Sequence, residues 1–481
     1  MAAEKISFDP HSLWSKLRNS RFVRDVLMLS GGTGLAQIIA VAVLPVLTRL
    51  YSPHDFGVLT LFISIVVLLT AFTTFNYELM IMLSKSHRSA SQLVWLILAL
   101  SSVVASIALF VVALVHQRLA DIFGMPELSA PLYAVPPLII FTTLYQALRY
   151  WKMRLMQFTI VARSMIVRAL TFAVCAPFFA FIPFGMNRAQ CLIAAFAVSE
   201  IFKTLVLTES IRKAKVTELA PARRLRMSVV ARRHGPLALT RSVSTGMSLI
   251  YDRVPDLIIS SFFGAATLGL YGMVERIVAA PSRLVSGAIG DVYRQRASVL
   301  HRAEGRFDQL TLRTIGATAL ISFVPFLIAI LSAPKLAPSI LGPDWAAAGH
   351  YASILLVGEF VAFITTPIDD AVLIVGAKRF VFFWSLARLL LTLSLFPLAQ
   401  FGILNFTQFL WGLVTVRITM VGIYGAAALQ YSRTGRSELV KPIWLRSAMK
   451  PPAEGRDSCN FSRGFPSDKK QIKSQDLSTE T

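Results

Sequence analysis

From Val26 onward the chain alternates long apolar runs with short polar joints. Twelve windows of mostly apolar residues recur, at 26–47, 56–83, 91–115, 130–148, 164–183, 189–208, 237–261, 267–290, 314–333, 351–376, 380–399 and 406–429. Each is about the 20 residues that a helix needs to cross a hydrocarbon core. The runs are continuous and long, which distinguishes them from the short alternating stretches of half-buried strands. The pattern predicts an all-α polytopic membrane protein of about twelve transmembrane helices. One joint is explicit. In LPVLTRLYSPHDFG, residues 44–57, Arg49, Tyr51 and Pro53 end the first run and Phe56 restarts the second.

Composition agrees. Of 481 residues 55% are hydrophobic and 15% charged, where soluble domains carry about 25% charged. The N-terminal stretch MAAEKISFDPHSLWSKLRNSRFVRD has no apolar core for a signal peptide, so the first apolar run is expected to remain as an anchor. Three cysteines, Cys175, Cys191 and Cys459, form neither a disulfide framework nor a metal motif.

The net charge is +22, and its placement decides its meaning. Lys5, Lys16, Arg88, Arg149, Lys152, Arg163, the run Arg212–Arg233, Arg294, Arg302 and Lys378 fall on one side of the predicted membrane. The other side holds Arg49, Arg118, Arg188 and Lys335. By the positive-inside rule both termini are expected in the cytoplasm, and the charge reports topology rather than nucleic-acid binding. The expected organisation is a cytoplasmic tail at 1–25, a six-helix half at 26–208, a basic linker at 209–236, a second half at 237–430 and a disordered tail at 431–481. The linker is suited to anionic lipid headgroups, or serves as a solvated connector.

An offset of 212 residues relates parts of the two halves: SGGTG at 30–34 falls on SVSTG at 242–246, and Gly57 on Gly269. Both halves start inside, so the repeat is parallel, with a site expected between them near the midplane. Gly31, Gly32 and Gly34 with Pro45 supply either a hinge in the first helix or close packing.

Ionisable groups within apolar spans are costly and normally face a cavity or a partner. Arg49, Arg253, Arg276, Arg283 and Arg417 are the candidate cationic groups for an anionic substrate, because a guanidinium fork suits phosphate or carboxylate. Glu78, Asp252, Asp256, Glu359 and Asp369 are the candidates for ion coupling. For Arg253 and Arg276 a structural pairing with acids such as Asp252 or Glu275 is the competing reading. Glu200 and Lys203 read as mutually neutralising. Arg168 reads as snorkelling to the cytoplasmic face. There is no Walker A loop, HExxH, CxxC pair or nucleophile elbow. No catalytic residue, metal or cofactor is expected.

SGGTGLAQIIAVAVLPVLTRLYSPHDFGVLTLF at 30–62 resembles the opening of the polysaccharide transporter family. These are the Wzx-type O-antigen and exopolysaccharide flippases of the multidrug/oligosaccharidyl-lipid/polysaccharide exporter superfamily. Gly34, Gln37, Pro45, Thr48, Arg49, Tyr51, Pro53, Asp55, Phe56 and Gly57 carry the resemblance. NYELMIML at 76–83 and DLIISSFFGAATLGLYGMVERI at 256–277 match more loosely, within an overall likeness over roughly 20–430. The resemblance implies a flippase moving undecaprenyl-pyrophosphate-linked repeat units across a bacterial inner membrane by alternating access. It implies a lipid-linked oligosaccharide as substrate. Further expected partners are anionic lipids, a polysaccharide polymerase and a chain-length regulator, with no nucleic acid. The rivals are a drug or metabolite exporter of the same superfamily, a membrane-bound polysaccharide-assembly enzyme, and a scaffold for synthases.

Overall fold

Helix follows helix wherever the apolar windows fall. A computed structural model describes residues 21–74, 76–84, 86–182, 185–213 and 227–435, without the side chains of 21–30, 72, 211–213, 227–244 and 283. The expected tails, apart from 21–25 and 431–435, and the core of the linker lie outside these residues. The first set of helices is α1 Arg21–Ala42, α2 Leu44–Leu50, α3 Pro53–Thr74, α4 Tyr77–Leu83, α5 His87–Ile122, α6 Val135–Arg154, α7 Phe158–Phe181 and α8 Arg188–Lys213. The second set is α9 Met227–Phe262, α10 Gly264–Glu304, α11 Asp308–Leu341, α12 Ala346–Thr365, α13 Ala371–Ile374, α14 Lys378–Leu393, α15 Leu395–Gln400 and α16 Phe406–Thr434. No strand occurs among the described residues.

Ten segments among the described residues are long and apolar enough to cross a membrane, and they coincide with the first six and last four windows. The seventh and eighth windows are filled by α9 and α10. Those helices carry Asp252, Arg253, Asp256, Glu275 and Arg276 and are not among the apolar ten. The chain is therefore an all-α, multi-pass membrane protein in which the expected twelve becomes ten apolar segments and two long charged helices.

The polar joint at 51–57 has a local cause. Ser52 and Asp55 cap α3 reciprocally: the Ser52 backbone N–H donates to Asp55 Oδ2 at 2.8 Å, and the Asp55 N–H to Ser52 Oγ at 3.3 Å. Pro53 takes the first helical position, where its missing N–H costs nothing. Around this cap the chain is tied on three sides. Tyr51 donates from its hydroxyl to the Ala176 carbonyl at 2.6 Å, and burial pushes that hydroxyl above the ordinary tyrosine range. Arg188 donates to the Leu50 carbonyl at 2.9 Å. Phe56 packs edge-on against Trp345, ring centres 5.3 Å apart, and the Trp345 indole donates to the Thr48 carbonyl at 3.2 Å.

Helix α3 crosses α10 with backbone against backbone. A Cβ on Gly57 would run into the Ala265 carbonyl oxygen, and one on Gly269 into the Pro53 carbonyl oxygen. The offset of 212 residues exchanges these two contacts, since it carries Gly57 to Gly269 and Pro53 to Ala265. The repeat is thus visible as a reciprocal contact at the junction of the two sets.

The first helix is interrupted: Val43 separates α1 from α2, and Pro45 sits at the start of α2. Of the three glycines, Gly32 is a packing position, where a Cβ would strike Ala162 of α7. Gly31 and Gly34 have nothing within 4 Å of a built Cβ.

Candidate functional site

Three features concentrate the chemistry. The first is a cavity of about 220 Å³ enclosed by α9, α10, α12, α14 and α16. Asp252, Glu275, Glu359 and Asp369 line it with Arg388 and Arg417, among Tyr251, Tyr271, Trp384 and Tyr424. Arg417 Nη2 binds Glu359 Oε2 at 2.5 Å. The Arg388 guanidinium lies 3.7 Å from the Tyr251 ring centre and 4.6 Å from that of Trp384, which compensates a cation without a carboxylate. The Trp384 indole is fixed by donating to the Met420 carbonyl at 2.8 Å. Tyr424 donates to the backbone carbonyl of Asp369. Four acids against two arginines leave this cavity acid-rich and aromatic.

The second is an apolar groove of about 790 Å³ running from Leu44 and Pro45 along α10, α11 and α12. Pro281, Pro325 and Phe326 lie in its wall. Val278 of α10 lines both the groove and the charged cavity, so an apolar and a polar compartment share a wall there.

The third is a polar seam where α3 meets α9 and α10. Asp256 is wholly buried; its Oδ2 accepts from Ser64 Oγ at 2.5 Å and from Arg253 at 3.3 Å. Its Oδ1 has no hydrogen-bond partner among the described residues. Arg276 donates to Thr60 Oγ1 at 3.4 Å and has no carboxylate within ion-pair distance among the described residues. Gly272 makes room for that contact: a Cβ there would lie 2.7 Å from Thr60 Oγ1.

The candidates named from sequence therefore separate. Asp252, Glu359, Asp369 and Arg417 come together in the cavity. Arg253, Asp256 and Arg276 lie along the seam, and the partner of Arg253 is Asp256, one turn away, rather than Asp252 or Glu275. Arg49 is exposed in the last turn of α2, where a cation suits the helix dipole. Glu78 opens α4 after a left-handed Asn76, and its Oε2 is buried without a hydrogen-bond partner. The side chain of Arg283 lies outside the described residues. Glu200 and Lys203 do pair, and Arg168 joins them at 2.5 Å rather than reaching for the membrane surface. Sequence reasoning gives Arg388 no role in the site and misses Tyr251 and Trp384. The spacing of Trp384 and Arg388, four apart on one helix face, is the available signal.

A family model described as polysaccharide biosynthesis protein matches residues 46–349. The succinoglycan biosynthesis transport protein ExoT of Rhizobium meliloti (strain 1021) is 24% identical over 408 residues, 83% of this chain and 77% of that protein. The teichuronic acid biosynthesis protein TuaB of Bacillus subtilis (strain 168) is 26% identical over 203 residues, 40% of this chain and 41% of that protein. Among solved structures, the MATE multidrug transporter DinF-BH superposes with a TM-score of 0.61 at 14% identity, covering 90% of this chain and 99% of that one.

Proposed function

Because this chain belongs to the polysaccharide biosynthesis protein family, as a polysaccharide transporter of the multidrug/oligosaccharidyl-lipid/polysaccharide exporter superfamily, we propose that its substrate is a lipid-linked oligosaccharide. In this reading it flips the repeat unit, joined to a polyprenyl pyrophosphate, from the inner to the outer leaflet of a bacterial inner membrane. The carrying observation is the shared wall at Val278, which sets an apolar groove directly against a polar cavity. An amphiphile needs that arrangement: its chain lies in the groove open to lipid, and its head enters the cavity. The carboxylates accept hydrogen bonds from sugar hydroxyls, and Tyr251 and Trp384 offer faces to sugar rings. The two sets of helices serve as halves that rock against each other and part at the α3–α10 crossing. Arg49, Arg253, Arg276, Arg283 and Arg417 remain the proposed cationic groups. Glu78, Asp252, Asp256, Glu359 and Asp369 remain the proposed coupling acids. Cytoplasmic termini follow from the loop charges. A polymerase and a chain-length regulator would take the product.

One observation favours a second reading. The acid-rich, aromatic lining of the cavity also suits a cationic amphiphile, as in a drug exporter. A deletion strain separates the two. In the flippase reading it loses surface polysaccharide and accumulates lipid-linked sugar in the inner leaflet. Normal surface polysaccharide with a new sensitivity to cationic dyes would sink that reading in favour of the exporter.

A further inference from the structure

The crossing of α3 and α10 changes character with depth. Gly57, Thr60 and Ser64 share one face of α3, and Gly269, Gly272 and Arg276 share the matching face of α10. The offset of 212 residues pairs them one to one, Thr60 with Gly272 and Ser64 with Arg276. In the outer layer both members are glycine and the backbones touch. Deeper in, the symmetry breaks: the first set supplies hydroxyls and the second supplies the charges. At 1.5 Å per residue Ser64 lies about 16 Å beyond Pro53, near the middle of a hydrocarbon core about 30 Å thick.

Two hydrogen bonds join the sets at this depth: Ser64 Oγ to Asp256 Oδ2 at 2.5 Å, and Arg276 Nη2 to Thr60 Oγ1 at 3.4 Å. On the α3 side neither hydroxyl depends on the crossing. Ser64 has one hydroxyl proton and a second acceptor within reach, the Thr60 carbonyl of its own helix at 2.9 Å. Turning the proton to that carbonyl keeps it satisfied when Asp256 withdraws. Thr60 donates to the Phe56 carbonyl at 2.8 Å whether or not Arg276 donates to it. On the other side the closed seam serves the charges poorly. Asp256 Oδ1 and Arg253 Nε are buried with no hydrogen-bond partner among the described residues. Arg276 reaches only a neutral hydroxyl, over a long bond. A buried polar network that is only partly satisfied is costly, and water admitted by parting the helices relieves it. The glycine layer gains from contact alone.

We propose that Thr60, Ser64, Asp256 and Arg276 form a poised latch at mid-membrane. The Ser64 and Thr60 hydroxyls of α3 hold the two sets together, and the under-compensated charges of α9 and α10 favour their parting once water enters. The latch lies beneath the glycine crossing that shuts the outer end. It rests on the alternating-access part of the reading above and not on the identity of the substrate.

The test uses the full chain in detergent, in a background without the native cysteines, with Thr48→Cys as reporter. Thr48 is 6% exposed and its carbonyl accepts from Trp345 of the second set, so a charged maleimide reaches this position only when the outer end parts. The initial labelling rate then reads the open fraction. Ser64→Ala removes a hydrogen bond to a charged group and should raise the rate about 10-fold. Thr60→Val keeps the shape, removes the acceptor of Arg276 and should raise the rate about 2- to 5-fold. Arg276→Met keeps a straight side chain, removes the under-compensated charge and should lower the rate below wild type. A merely structural bond from Arg276 to Thr60 predicts the reverse for that variant. Ala147→Cys, wholly buried within the first set, serves as a second reporter: it should stay unlabelled in each variant, which separates opening from unfolding. If Ser64→Ala unfolds the chain, Thr60→Val and Arg276→Met still have to move the rate in opposite directions. Equal rates for wild type and the α3 variants, or a faster rate for Arg276→Met, overturn the latch. No substrate is present, so neither result touches the lipid-linked reading, which the deletion strain decides.

Discussion

At the scale of single residues, compensation decides what each intramembrane charge can do. Glu359 is 7% exposed and Arg417 36% exposed in their pair. Breaking a fully buried pair costs about 3–5 kcal/mol, and exposure of the arginine lowers this to about 1–3 kcal/mol. Glu359→Ala should therefore lower the unfolding temperature in detergent, and Glu359→Gln/Arg417→Gln should recover much of the loss. A Glu359→Ala protein as stable as wild type would mean that water already solvates Arg417. The glycines divide in the same way. Gly57→Ala forces a methyl into the Ala265 carbonyl and should cost at least about 1–3 kcal/mol, read as a fall in thermal stability. Gly31→Ala and Gly34→Ala meet open space and should be neutral or gain up to about 1 kcal/mol from helix propensity. If those two fold normally and lose transport, the hinge reading of α1 holds; normal transport would end it.

At the scale of elements, the cap of α3 explains the quoted joint. The polar residues there are no accident of a loop. Ser52 and Asp55 satisfy the first amides of a helix that Pro53 begins. Asp55→Ala should cost about 1 kcal/mol, measured as a lower unfolding temperature, with Ser52→Ala adding little to it because both act in one cap. The helices were legible in the sequence because twenty apolar residues in a row are a local property. All twelve windows carry helix. The departures are at α9 and α10, where Asp256 and Arg276 reach partners on α3 and Arg253 pairs with Asp256 within its own helix. The site was less legible for the same reason. Nothing near Arg388 announces Tyr251, on a helix more than a hundred residues earlier, and nothing near Asp256 announces Ser64. Arg168 looked like a surface-seeking cation because Glu200, which holds it, is on the next helix. The repeat was the one long-range relation that the sequence carried openly, through Gly57 and Gly269.

At the scale of the molecule, the joint at 51–57 is where the two sets hold each other. Phe56 and Trp345 touch there, and the backbones of α3 and α10 meet beside them. If transport requires this end to part, linking it shut must stop transport. In a background without the native cysteines, Phe56→Cys/Trp345→Cys treated with a short cleavable bis-maleimide should lose transport and regain it on cleavage, while either single variant is unaffected by the reagent. Transport that persists in the linked protein would place the moving gate elsewhere.

The reciprocal contact of Gly57 and Gly269 has a consequence for the origin of the chain. A contact in which one residue meets a second, and their counterparts meet in return, is what two identical subunits make across a two-fold axis. The crossing of α3 and α10 has the form of a homodimer interface carried inside one polypeptide. The offset makes the two glycine contacts counterparts on one crossing, so a motion that parts α3 from α10 must break both. If alternating access parts the two sets here, the crossing would open and close as a single unit.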